Sequence, residues 1–313
     1  IKECDWSSDV CSSDLGGADP ARNPCLTYGG ELFRLPSPPA EGPVPAAWGG
    51  WARPLDAVLG VPGLPQSATG QTTLLTGRNT QAEIGAHLTG FPNAPLRELL
   101  LEHSLLKRAV EAGRTAAFLN AYRPLFFALP REKQLHLSAT TVATLAAGLP
   151  FRTLDDVRAG RAVYQEFTNR DLRARGFDLP ELSPGDAGRQ LARLTAGLDL
   201  SLFEYFQTDR AAHAQERGRV EAELRGLEAF LAGLLDGLRL RPGGGGAVAG
   251  PHGSAGASLV LLTSDHGNLE DLSTRGHTRH PVPLLAWGEG AEAFARSLTR
   301  LDEVAPAVLR LIA

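Results

Sequence analysis

Residues 259–268 read Leu-Val-Leu-Leu-Thr-Ser-Asp-His-Gly-Asn, and residues 276–283 read Gly-His-Thr-Arg-His-Pro-Val-Pro. The first stretch is an apolar run of strand length, Leu259–Thr263, that ends in a polar turn carrying Asp265 and His266. The second leads into another apolar run, Val282–Trp287, with His277 in the loop before it. The pattern predicts two strands whose connection holds one carboxylate and two imidazoles. In an open α/β sheet, ligands bind outside the carboxyl ends of the strands, so this connection falls where chemistry is expected. Upstream, Leu200–Phe206 also reads as a strand; Asp209 follows it closely and His213 comes one helical turn later. On a helix that spacing puts both side chains on one face, as a single metal ion requires. Each piece has a plain alternative. An Asp-x-x-x-His pair is often a helix start with a solvated imidazole, and an Asp-His-Gly turn is often a capped loop. The joint pattern is what carries weight, because three separate strand ends would have to be polar by accident.

Working outward, Gly60–Gly77 places a cluster of hydroxyls before Thr72–Leu75, where a helix is expected to start. Leu96, Leu99, Leu100, Leu106, Ala109 and Val110 form a helical stripe stopped by Gly113, with His103 as packing. Thr115–Tyr122 follows as an apolar run of strand length. A helix followed by a strand is the unit of a layered α/β sheet. Residues 124–198 read as short helices and loops broken by Pro150, Pro180 and Pro184, an insertion lying over the sheet. Val220, Leu224, Leu227, Leu231, Leu234 and Leu238 predict a long helix ended by Pro242, and Gly243–Gly256 reads as a flexible linker. Gly16–Trp51 reads as loop with short turns.

Composition narrows the function classes. The chain has 313 residues and 43% of them are apolar, so it can bury a substantial core. No run of eighteen apolar residues occurs, which argues against a membrane-spanning helix. The formal net charge is −4, Arg is scattered and no basic-aromatic stripe appears, which argues against a nucleic-acid partner. Methionine is absent even at position 1, as expected of a fragment. Residues 5–15, Asp-Trp-Ser-Ser-Asp-Val-Cys-Ser-Ser-Asp-Leu, resemble the conceptual translation of a short-read sequencing adapter. Residues 1–15 are therefore read as a non-native tail and set aside. Two of the three cysteines, Cys4 and Cys11, lie in that tail, which leaves only Cys25. A thiolate metal site and a disulfide framework are thereby excluded, and a reducing cytoplasm is the default location. Mixed oxygen and nitrogen donors suit Zn²⁺, Mn²⁺ or Fe²⁺ instead.

Thr263-Ser-Asp-His-Gly-Asn268, then Gly276-His-Thr278 and Pro281-Val-Pro283, resemble the metal-binding end of the alkaline-phosphatase-like metalloenzyme superfamily. The nearest branch is that of cofactor-independent phosphoglycerate mutase and phosphopentomutase. Asp209 and His213 are similar to its Asp-x-x-x-His motif, and Ser67-Ala-Thr-Gly-Gln71 to its Ser/Thr-x-x-Gly-His element, with Gln71 in place of His.

The resemblance implies a three-layer α/β core with a mostly parallel sheet, built from residues 16–123 and 199–313, with a small helical insertion at 124–198. It implies two divalent ions, Mn²⁺ or Zn²⁺. One would be held by Asp209, His213 and His277, the other by Asp265, His266 and the Ser67 oxygen. Ser67 would be the nucleophile, with Thr69 and Thr72 as competing hydroxyls and an N-cap as its structural alternative. If Ser67 starts a helix, free backbone amides there would add anion stabilisation. The implied reaction is hydrolysis of a small phosphate ester through a serine intermediate; a phosphomutase and a non-catalytic metal-binding protein are the alternatives. Two departures stand out. The family places a further carboxylate of the second site at the end of a first apolar strand, in an Asp-Gly pair, and no such strand precedes Asp19 here. Neither Asp14 nor Asp19 ends an apolar run, so neither is assigned and the second site is expected to be incomplete. The insertion is also short and lacks recognisable phosphosugar-binding elements, which weakens the mutase reading.

Overall fold

Trp287 is fully buried, and the strand that carries it organises the main sheet. The computed structural model describes residues 19–33, 42–241 and 258–313. Eight strands lie among these described residues. They are β1 (Val44–Ala46), β2 (Gly50–Leu55), β3 (Ala116–Phe118), β4 (Asn120–Ala121), β5 (Val163–Tyr164), β6 (Leu200–Leu202), β7 (Leu259–Thr263) and β8 (Val282–Gly288). The main sheet runs β1-β2-β8-β7, and β8 is flanked by antiparallel partners on both edges.

The expected mostly parallel sheet is therefore corrected. All three pairings of the main sheet are antiparallel, and parallel pairing is confined to two small ladders, β3 with β6 and β4 with β5. The reason lies in the connections. A parallel pair needs a crossover, usually a helix, whereas the chain returns from β7 to β8 through a loop without one. The second antiparallel neighbour, β2, begins in the stretch expected to be loop, Gly16–Trp51, and runs on into residues for which no element was expected. Its sequence Gly-Trp-Ala-Arg-Pro-Leu hides the strand, because Pro54 interrupts the pattern. Pro54 sits opposite Pro283, so neither residue at that rung donates a backbone hydrogen bond.

Alternation then divides the core. Val260, Leu262, Leu285 and Trp287 face one cluster, while Leu259, Leu261, Val282 and Leu284 face another. Trp287 donates its indole N–H to the Ala47 carbonyl at 2.9 Å, which removes the cost of burying that group. Gly50 lies against the same ring, where a Cβ would come within 2.4 Å of the indole nitrogen.

The helices follow the sequence with shifted boundaries. The helix expected from Thr72 begins at Ser67 and ends at Thr76, closed by Gly77 at φ 71°. The stripe through Leu96 to Val110 is two helices, Ala94–His103 and Leu105–Glu111. The break falls at Ser104, whose hydroxyl caps the second helix by accepting from the Lys107 amide. His103 is half-buried beside Glu102 at the end of the first. The long helix spans Arg217–Gly237, ending short of Pro242. Residues 124–198 contain several short helices, the strand β5, and the helix Pro184–Thr195, which packs along Arg217–Gly237. Residues 1–15 and the Gly243–Gly256 stretch lie outside the described residues. No helix among the described residues is long and apolar enough to cross a membrane.

The contact between the two long helices depends on glycine. A Cβ on Gly188 would lie 1.9 Å from the Phe230 carbonyl oxygen, and one on Gly233 would lie 2.1 Å from the Gly185 carbonyl oxygen. Backbone cannot yield as a side-chain tip does, so Gly188→Ala is expected to destabilise the fold by about 1–3 kcal/mol. Gly218→Ala, in open space on the same helix as Gly233, is expected to be neutral or mildly stabilising. Urea denaturation of the two variants checks the contrast.

Candidate metal centre

β7 ends where β8 begins, because their register pairs Thr263 with Leu284. The connection between them therefore folds back on itself at one end of the sheet. A short antiparallel bridge joins Gly267 to Thr278, with the Thr278 amide donating to the Gly267 carbonyl at 3.0 Å. This bridge brings His266 and His277 side by side. Their rings stack with centroids 3.7 Å apart and planes 14° from parallel, and both are buried. Two imidazolium cations at that spacing would repel. Burial, and then the neighbouring His266, push the His277 pKa below its ordinary value, which favours the neutral form that binds metals. His277 Nδ1 donates to the Pro65 carbonyl at 2.9 Å, which turns Nε2 into the site.

The helix Gln207–Ala214 supplies the next two donors, Asp209 from its first turn and His213 from its last. His213 Nε2 lies 3.3 Å from Asp209 Oδ1 and 3.3 Å from His277 Nε2, and His277 Nε2 lies 3.6 Å from Asp209 Oδ1. The His213 ring is oriented by its Nδ1, which donates to the Arg275 carbonyl at 2.6 Å. Asn268 donates from Nδ2 to Asp209 Oδ1 at 2.6 Å and so fixes the carboxylate. These separations test the fit to a metal ion. Donors at about 2.0–2.1 Å from a tetrahedral ion stand about 3.3–3.5 Å from one another. The three donors form a triangle close to that size, and two imidazoles with one carboxylate are a suitable set for Zn²⁺ or Mn²⁺. His266 stands close by: Asp209, His266 and His277 each present a donor within 4.8 Å of the others.

The remaining residues gather on the other side of His266. Ser67 Oγ is 2.9 Å from His266 Nε2, and Asp265 Oδ2 is 3.6 Å from the same nitrogen. Asp265 Oδ2, His266 Nδ1 and Thr263 Oγ1 are buried without a hydrogen-bond partner. A buried carboxylate oxygen in that state is costly, and a cation is the kind of group that would offset it. Ser67 is the first residue of its helix, with Gln66 at the N-cap position, so its hydroxyl is not spent on capping. The competing hydroxyls are engaged elsewhere: Thr69 Oγ1 donates to the Gln66 carbonyl and Thr72 Oγ1 to the Ala68 carbonyl. The expected anion-binding amides are a correction. The Ala68 and Thr69 amides both donate to the Leu88 carbonyl, so those two are not free. The close seat of this helix depends on Gly70, where a Cβ would lie 2.3 Å from the Asp265 carbonyl oxygen.

Three polar residues of the site escaped the sequence reading. Asn268 closes the quoted turn and Glu270 lies two residues beyond it, and their signal was their position after a strand end. Glu204 sits just beyond β6, and its signal was a lone carboxylate in the run Leu-Ser-Leu-Phe-Glu-Tyr-Phe. Asn120 clasps its backbone, donating to the Glu204 carbonyl at 2.7 Å and accepting from its amide at 2.9 Å. Its carboxylate accepts from Thr140 at 2.7 Å.

With this geometry in place, one likeness to other proteins falls on part of the site. The metalloenzyme superfamily matches residues 254–313, the segment that carries Asp265, His266 and His277. The carboxyl-terminal part of the chain is similar to this superfamily. A phosphopentomutase of Methylobacterium radiotolerans is 28% identical over 268 residues, 81% of this chain and 59% of that protein. The chain thus spans about three-fifths of that relative's length. Together these likenesses support the alkaline-phosphatase-like superfamily for the chain. Among solved structures, the alkaline phosphatase of the Antarctic bacterium TAB5 has 13% identity and a TM-score of 0.47, over 83% of this chain and 88% of that one. A Leishmania mexicana phosphoglycerate mutase, determined at low cobalt concentration, has 14% identity and a TM-score of 0.40, over 75% of this chain and 40% of that one.

Glu204 gives the site a pH signature. Burial pushes its carboxyl up to about 7; the Thr140 hydrogen bond opposes this, and the nearby Asp265 carboxylate adds to it. Between the ordinary 4.5 and about 7, the folded chain holds a proton that the unfolded chain has released. Stability contributed by the protonated group is therefore lost as pH rises through that window, by up to about 3 kcal/mol. Glu204→Gln is expected to flatten this dependence. Urea midpoints at pH 5 and pH 8, both with chelator present, check it: the wild type should lose more than the variant.

Proposed function

We propose that this chain carries the core of a two-metal-dependent phosphoryl-transfer enzyme, which hydrolyses a small phosphate ester through a serine intermediate. The observation that supports it most is the triangle of Asp209, His213 and His277 donors, sized for one divalent ion and lying next to the Ser67–His266 pair. Asp209, His213 and His277 would hold the first ion; Asp265, His266 and Ser67 would hold the second. Bound divalent ions make a serine hydroxyl easier to ionise and neutralise phosphate charge. Ser67 Oγ then takes the phosphoryl group: an oxygen–phosphorus bond forms at Ser67 as the ester bond breaks, and water completes the hydrolysis. Asn268 keeps Asp209 in place, and the Pro65 and Arg275 carbonyls hold the two imidazoles of the first set in their tautomers.

The second reading is a phosphomutase, favoured by the phosphopentomutase likeness. There the serine would return the phosphoryl group to another oxygen of the same substrate, so no free phosphate would appear. Incubation with a sugar phosphate separates the two: free phosphate supports the hydrolase, and an isomeric sugar phosphate without release supports the mutase.

Ser67→Ala removes the proposed acceptor and is expected to lower phosphate release from an aryl phosphate by several powers of ten, with little change in thermal stability. Turnover at the wild-type rate would move the role to another hydroxyl.

The two ion sites differ in the completeness of their donor sets. The first set holds a carboxylate and two imidazoles, whereas the second has Asp265, His266 and Ser67 and, among the described residues, no carboxylate assigned to the further place that the resemblance implies. One ion per chain is therefore expected to bind tightly, and a second weakly. His277→Ala should abolish tight binding while Asp265→Ala retains most of it. Mass-spectrometric metal analysis after dialysis reads this directly, and two retained ions per unaltered chain would contradict it.

A further inference from the structure

We propose that Glu270 is the positioning residue of the metal centre, a carboxylate that touches no donor atom of the proposed ions but fixes the segments that carry them. This rests on the metal-centre reading above and adds a part to it. Glu270 Oε2 accepts from the Asn268 amide at 2.7 Å, which ties it to the turn holding Asp265 and His266. Its Oε1 accepts from the Thr278 hydroxyl and lies 3.3 Å from His280 Nδ1, which ties it to the segment after His277. The same Asn268 donates to Asp209 Oδ1, so one carboxylate links three of the four donor-bearing segments, all but that of Ser67. Glycine at 267 makes room for this, since a Cβ there would lie 2.5 Å from Glu270 Oε1 and 2.3 Å from Thr278 Oγ1.

Glu270 is suited to the task because it stays ionised where it is largely covered. Burial alone would push its pKa up, but the bonds from His280, Thr278 and the local backbone outweigh it and hold the value below the usual one. An acceptor with both oxygens engaged is difficult to replace. Glutamine keeps the shape, yet it must turn an N–H group toward one of the donors. One tie is then lost, and either His277 or the Asp265–His266 turn is freed to shift.

The test is Co²⁺ binding to the full chain, read by chelator competition and by the visible absorption of the bound ion. Glu270→Gln is expected to weaken Co²⁺ binding about 10–100-fold and to alter the intensity of the visible band. Thr278→Val removes the other end of the same tie and provides an independent variant should the first fold poorly. It should act in the same direction, and the double variant should be no weaker than the weaker single one. Unchanged binding in Glu270→Gln overturns the positioning role. So does a loss of metal-free melting stability large enough to account for the whole change in affinity. A wild-type chain that takes up no Co²⁺ overturns the metal-centre reading itself, and this role with it.

Discussion

The antiparallel seam between β7 and β8 is the constraint on which the rest of the site depends. Because Thr263 pairs with Leu284, the strand that ends before Asp265 and the strand that starts after His277 meet at one end of the sheet. Residues eleven apart in sequence then stack ring on ring. The seam is held by apolar side chains on both faces, with Leu284, Leu285, Ala286 and Trp287 buried on β8. Polar chemistry at the end of the sheet is therefore supported by a hydrophobic structure that would have to come apart before the donors could separate. The helix Gln207–Ala214 needs only to lie across this end for Asp209 and His213 to complete the group.

The electrostatics of the site follow from the same burial. Burial and the neighbouring His266 favour the neutral form of His277, a buried carboxylate near a second carboxylate favours protonation, and Asp265 keeps an oxygen without a hydrogen-bond partner. Each arrangement is unfavourable in isolation. Each would be relieved by a cation among them, since a positive ion favours ionised carboxylates and takes neutral imidazole as a ligand. The polar groups that have partners, Asn268, Glu270 and Thr278, are bonded mainly to one another and to backbone. They maintain geometry, while Asp265 Oδ2 is left buried without a partner, where a cation would offset its cost.

How much of this was legible in the sequence follows from what each signal measures. The ends of β7 and β8 and the Asp209–His213 spacing were readable, because apolar runs and helical periodicity are local properties of the chain. The pairing partners were not. Whether β8 lies beside a parallel or an antiparallel neighbour is decided by a loop that carries no pattern of its own. β2 stayed hidden because Pro54 and Arg53 break its alternation, while its partner strand supplies the burial that makes it a strand. Ser104 split one expected helix into two because an N-capping hydroxyl offers the backbone an alternative to continuing. The free amides expected at Ser67 failed for a tertiary reason: the Leu88 carbonyl, distant in sequence, already accepts from them.

One asymmetry of the fold bears on the difference between the two proposed ion sites. β8 is buried along most of its length, whereas every residue of β7 is only half-buried, although its sequence is Leu-Val-Leu-Leu-Thr. β7 is the last strand of its sheet, and among the described residues its outer edge carries no pairing. Such an apolar strand is built to be covered on both sides, as a central strand is. Several unsatisfied buried atoms, Thr263 Oγ1, Asp265 Oδ2 and His266 Nδ1 among them, sit at the end of this same strand. The first set of donors instead has its carboxylate held by Asn268 and each imidazole held by a carbonyl. The end of β7 that carries Asp265 and His266 is thus held by one neighbouring strand, while the first set is fixed by hydrogen bonds with Asn268, Pro65 and Arg275.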